Sequence, residues 1–156
     1  PGNIILDEAG QIVLIDNSAI SRVKPQTRLG LFNFFEVLSH YDYEKAAFYL
    51  HAMSTNELTE PGFKRFERQF YDLYSDFTDS TVSDVSLTKK MMDTIKLGVH
   101  CGMTFGDDMF GIIKGLMYLD GMVLRCNPQA NLMQDIRSFT APLKEVLSEV
   151  EARQNN

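Results

Sequence analysis

Apolar residues follow two different periods along this chain. Residues 4–6 (Ile-Ile-Leu) and 12–15 (Ile-Val-Leu-Ile) are short runs of strand formers separated by Asp7-Glu8-Ala9-Gly10. Gly10 supplies the positive φ that a tight connection requires, so the pattern predicts a two-stranded hairpin. After Asp16 a polar stretch over 17–24 leads to Pro25, which suits the first turn of a helix because its missing N–H has no partner there anyway. From that point the spacing is helical. Leu29, Phe32, Phe35 and Leu38, widened by Leu31 and Phe34, predict a helix over 26–39 with one broad buried face. Asp42 caps a short second helix ending near Met53. Residues 54–62 read as a loop. Phe63, Phe66, Phe70, Leu73 and Phe77 then recur at three and four residues, the strongest helical signal in the chain.

Ser86 is placed to cap a helix running to Cys101, where Gly102 supplies a left-handed stop. A very apolar helix follows over 107–125 and ends before Asn127-Pro128, and Thr140 with Pro142 predicts the start of a last helix that frays at 154–156. The reading is a mostly α fold: one short β-hairpin at 3–16 and about six helices, in a single domain over 1–156 whose helical part spans 25–154.

Composition narrows the function classes. Of 156 residues 44% are apolar and 11% aromatic, which excludes a disordered chain. Fifteen Lys and Arg against 21 Asp and Glu leave a net charge of -6, the wrong sign for a general binder of the nucleic-acid backbone. No apolar run reaches the roughly 18 residues a transmembrane helix needs. The opening Pro1-Gly2-Asn3 carries neither an initiator Met nor a signal peptide, so the chain is expected to be part of a longer protein. Cys101 and Cys126 suit no disulfide framework or zinc site and are expected to be buried small apolar residues. His40, His51 and His100 have no partner at ligand spacing, and Asp72, Asp76, Asp79 and Asp84 lack the spacing of a calcium loop, which predicts a solvated face. Gly111 and Gly115 form a GxxxG expected to pack closely inside the domain. The methionines at 91, 92, 103, 109, 117 and 122 are read as core fillers ahead of a groove lining.

The hairpin carries the candidate chemistry. Adjacent antiparallel strands lie roughly 5 Å apart, so its open end brings Asn3 beside position 14 or 15 and close to Asp16. Taken singly, Asn3 opens a strand and Asp16 caps a loop, roles both residue types commonly fill. Taken together, they are two hard oxygen donors on a short rigid element. That set suits Mg²⁺, which keeps several waters and draws its other ligands from substrate phosphates.

The string PGNIILDEAGQIVLIDNS resembles the end of the catalytic loop and the metal-binding hairpin of the protein-kinase-like fold. Aminoglycoside phosphotransferases and choline kinases have similar Asn and Asp spacing. The tract from Lys114 to Pro128, with Leu119-Asp120-Gly121, Arg125 and Cys126-Asn127-Pro128, is similar to a late helix of the UbiB/AarF atypical kinases, where Leu-Glu-Gly precedes an Arg and then Leu-Asp-Pro. Tyr41-Asp42-Tyr43 resembles the Arg-Asp-Tyr of the same family. The resemblance runs in order along the whole chain and implies a protein-kinase-like C-terminal lobe.

It further implies Mg²⁺ and ATP as cofactors of the longer protein, with Asn3 and Asp16 as metal and cofactor ligands. The implied role is support of ubiquinone or other isoprenoid-lipid metabolism, in the cytoplasm or an organelle interior at the periphery of a membrane. Expected partners are the nucleotide-binding lobe, an isoprenoid lipid and membrane-associated biosynthetic proteins. The lobe by itself holds no catalytic residue and is expected to be inactive, since the nucleotide-contacting Lys, its Glu partner and the family's Lys-x-Gly-Gln motif are not in these residues. Two departures matter: Asn17 and Ser18 follow Asp16 where the family keeps an apolar residue and Gly. They favour a second expectation, a catalytically silent pseudokinase-like helical module that binds a lipid or protein partner. A third, an aminoglycoside-phosphotransferase-like small-molecule kinase, is opposed by the tract from Gly121 to Pro128.

Overall fold

The computed structural model of the protein describes residues 3–16, 22–77, 80–81 and 84–154, with 144–154 described by backbone alone. Strands β1 (Ile4–Leu6) and β2 (Ile12–Leu14) pair antiparallel, Ile4 opposite Leu14, Ile5 opposite Val13 and Leu6 opposite Ile12. Their connection is held by Asp7, whose carboxylate accepts from the N–H groups of Ala9 (2.9 Å) and Gln11 (2.7 Å), while Gly10 takes φ +77°. The hairpin is not part of the core: Leu6, Ile12 and Leu14 are 68%, 71% and 59% exposed.

Six helices follow: α1 (Pro25–Ser39), α2 (Tyr43–Ala52), α3 (Glu60–Tyr74), α4 (Leu87–His100), α5 (Asp107–Cys126) and α6 (Leu132–Gln154). The start signals read from sequence operate as expected. Pro25 occupies the first turn of α1, Asp42 accepts from the Lys45 N–H at 3.1 Å, and Ser86 accepts from the Lys89 N–H at 3.1 Å. Gly102 ends α4 at φ +99°. The turn from α1 to α2 is tighter than its sequence suggests. The Asp42 N–H reaches the Val37 carbonyl (3.0 Å) and the Tyr41 N–H that of Leu38 (2.9 Å), a Schellman stop in which Tyr41 takes φ +60° in place of the usual Gly.

Helix α3 lies at the centre of the core. Its three-and-four spacing stacks Phe66, Phe70 and Tyr74, all fully buried, with ring centroids 5.7 Å and 4.6 Å apart in succession. Phe34 of α1 meets Phe70 edge-on at 6.3 Å. The buried face of α1 centres on Phe34, Val37 and Leu38, and Leu29 falls at its edge, 40% exposed. Asn56 ties the α2–α3 loop to the α4–α5 loop: its amide donates to the Gly102 carbonyl (2.9 Å) and its oxygen accepts from the Thr104 N–H (2.7 Å).

Several expectations are corrected. Helix α3 stops at Tyr74, and Phe77 lies beyond it, kept buried by edge-on packing against the Tyr74 ring at 5.3 Å. The last helix begins at Leu132, because the Asn131 side chain accepts from the Gln134 N–H (3.0 Å) and caps it. Pro142 therefore sits inside α6, where it removes one hydrogen bond of the helix and its ring crowds the Ser138 carbonyl. Cys101 is half-buried and Cys126 exposed, since α5 ends in solvent. The expected close packing at Gly115 is absent: a methyl group there, or at Gly121, would meet nothing within 4 Å. Met91, Met103 and Met109 are core residues, but Met117 is 53% exposed.

Candidate functional site

The register of the hairpin decides the geometry of its open end. With Ile4 opposite Leu14, the next position pairs Asn3 with Ile15, and the Ile15 N–H donates to the Asn3 carbonyl at 3.0 Å. The side chains of Asn3 and Asp16 consequently meet, the Asn3 amide donating to the Asp16 carboxylate at 3.2 Å. Both residues are exposed. The two positions singled out from the sequence are thus brought together, while Asn17 and Ser18 lie outside the described residues. By residue type the pair offers an amide oxygen and a carboxylate, hard donors of the kind Mg²⁺ takes, and in this structure the amide turns its N–H toward Asp16. Among the described residues no group of three or more His, Cys, Asp or Glu is arranged to hold a metal.

A second polar junction escaped the sequence reading. Asp108, in the first turn of α5, accepts from the Lys24 N–H at 3.2 Å, joining the start of α5 to the start of α1. The hydroxyl of Thr27 holds the Asp108 carboxyl below the usual carboxylate range, helped by the N–H and charge of Lys24 and opposed by a little burial. The acidic pair Asp107-Asp108 at a helix start was a local signal. Its partner 84 residues earlier was not.

Several further polar groups hold the fold together. Lys90 donates to the Leu73 carbonyl (2.6 Å) and pairs with Asp76, whose carboxyl this contact lowers. Asp84 is held by the hydroxyl and N–H of Thr81 (2.6 and 3.0 Å), so two members of the acidic stretch 72–84 have partners, and Asp79 lies outside the described residues. His51 accepts from the Leu58 N–H at 3.0 Å and stacks near Phe63, a loop-holding role. Ser86 donates to Asp120 at 2.6 Å, linking the start of α4 to α5.

Comparison of the chain with family models, with curated proteins and with solved structures finds no match in any of the three. No helix among the described residues is long and apolar enough to cross a membrane.

Proposed function

We propose that the chain is the C-terminal lobe of a UbiB/AarF-type atypical kinase or ATPase, which binds Mg²⁺ and ATP in the longer protein and serves ubiquinone or isoprenoid-lipid metabolism. The observation that carries the reading is the 3.2 Å meeting of Asn3 and Asp16 at the open end of the hairpin. The family keeps an Asn and an Asp at the corresponding motif positions as its two magnesium ligands. In this reading Asn3 and Asp16 hold Mg²⁺, and the ion neutralises the charge of the ATP phosphates. The exposed apolar residues of the hairpin are the seat of the nucleotide-covering lobe, which brings the Lys and Glu that these residues lack. Phosphoryl transfer depends on positioning and charge neutralisation, so the isolated lobe binds metal weakly and transfers nothing.

A second reading, a silent pseudokinase-like module, is favoured by Asn17 and Ser18. A polar Asn17 is a poor occupant of the apolar pocket the family fills, and Ser18 reaches positive φ less cheaply than Gly.

Amide NMR with added Mn²⁺ and ATP separates the two. The first reading predicts selective broadening at Asn3, Ile15 and Asp16, with Asp16→Ala weakening the effect at least tenfold. Broadening elsewhere, or an unchanged response in the variant, supports the silent module.

A further inference from the structure

Helices α4 and α5 are joined by a short loop, and a groove of about 720 Å³ lies along their outer side. Each helix supplies positions spaced at three, four, seven and eight residues. Met92, Ile95, Lys96, Val99 and His100 come from α4, and Phe110, Ile113, Lys114, Met117 and Tyr118 from α5. The apolar floor is unusually accessible: Phe110 is 74% and Met117 53% exposed. The volume lies within the range of roughly 300–1,000 Å³ typical of small-molecule sites.

Among the described residues that line this groove the charged side chains are Lys96 and Lys114, in a chain of net charge -6, and no carboxylate lines it. Lys114 has no ion pair among the described residues. Lys96 donates to Asp93 at 3.3 Å, an exposed pair that opens at little cost; Asp93, about one turn earlier on α4, is not among the residues that line the groove. Each lysine sits one turn from apolar lining residues of its own helix, so its stem adds to the floor and its ammonium stays at the rim.

We infer that the α4–α5 groove binds a single-tailed anionic amphiphile, a free long-chain carboxylate, with the tail along Ile95, Ile113 and Met117 and the head on Lys96 and Lys114. The charge complementarity selects this occupant. A helix with no carboxylate at its rim would bury the apolar floor without using either ammonium group. The groove shares no residue with the hairpin, so this inference and the nucleotide reading fail separately.

The test is calorimetric titration of the chain with laurate below its micelle concentration, against dodecyltrimethylammonium, whose alkyl tail is one carbon longer and whose head is cationic. Amide NMR locates the site. The expected result is one laurate per chain with shifts confined to α4 and α5, and at least tenfold weaker binding of the cationic amphiphile. Lys96→Gln with Lys114→Gln should weaken laurate at least tenfold and leave the cationic amphiphile no weaker, since it relieves the repulsion of its head. Met117→Asp should abolish laurate binding; because this residue is half exposed, its circular dichroism should match the parent. Equal affinity for the two heads, laurate binding indifferent to the lysines, no laurate binding, or a self-associated chain whose dimer laurate does not compete away would each overturn the inference.

Discussion

The hydroxyls of Tyr74 and Thr94 meet 2.9 Å apart in the interior, and both side chains are fully buried. Thr94 spends its own proton on the Lys90 carbonyl at 2.6 Å, so Tyr74 is the donor and Thr94 the acceptor of the shared bond. Burial pushes the Tyr74 hydroxyl far above the usual tyrosine range, which keeps it protonated as this arrangement requires. The bond joins α3 to α4 at the inner end of the aromatic stack.

Thr94→Val removes the acceptor and leaves a buried hydroxyl unpaired, so it should cost about 1–3 kcal/mol. Tyr74→Phe removes the orphan along with the bond, while Thr94 keeps the Lys90 carbonyl, and should cost about 0.5–1.5 kcal/mol. Urea unfolding of the two variants checks the order. A Tyr74→Phe variant less stable than Thr94→Val would show that the hydroxyl pair is not what joins the helices.

The junction of α1 with α5 predicts a pH effect. The folded state lowers the Asp108 carboxyl from its ordinary value of 3.8, so its stabilising contribution is present above that value and is lost as pH falls through the lower folded one. Asp108→Asn should therefore melt below the parent at neutral pH, and the gap should narrow on acidification below about pH 4. A gap of constant size down to about pH 2 in thermal melts would sink the assignment.

Glycines on adjacent helices should respond with opposite signs. At Gly115 the space is open, so Gly115→Ala should raise stability by about 0.5–1 kcal/mol through helix propensity alone. At Gly98 a methyl group would sit 3.1 Å from the Met103 sulfur and 3.3 Å from the Phe105 ring, both packed on the core, so Gly98→Ala should lower it. Chemical denaturation midpoints of the two variants give the comparison directly.

Sequence alone determined the features whose causes are local. The hairpin followed from two apolar runs and Gly10, the helix starts from Pro25, Asp42 and Ser86, and the stop at Gly102 from its freedom at positive φ. The meeting of Asn3 with Asp16 was also legible, because strand pairing across a short connection leaves few registers. Tertiary structure decided what depends on distant partners. Periodicity marks Phe77 as helical, but packing against Tyr74 buries it outside the helix, and Pro142 resembles a helix start although the cap at Asn131 starts the helix well before it. The apolar pattern of α5 looked like core, yet α4 covers only part of its surface, leaving Met117 on an open groove and open space beside Gly115. An amphipathic pattern reports which residues favour burial; only the arrangement of neighbouring helices decides which of them are covered.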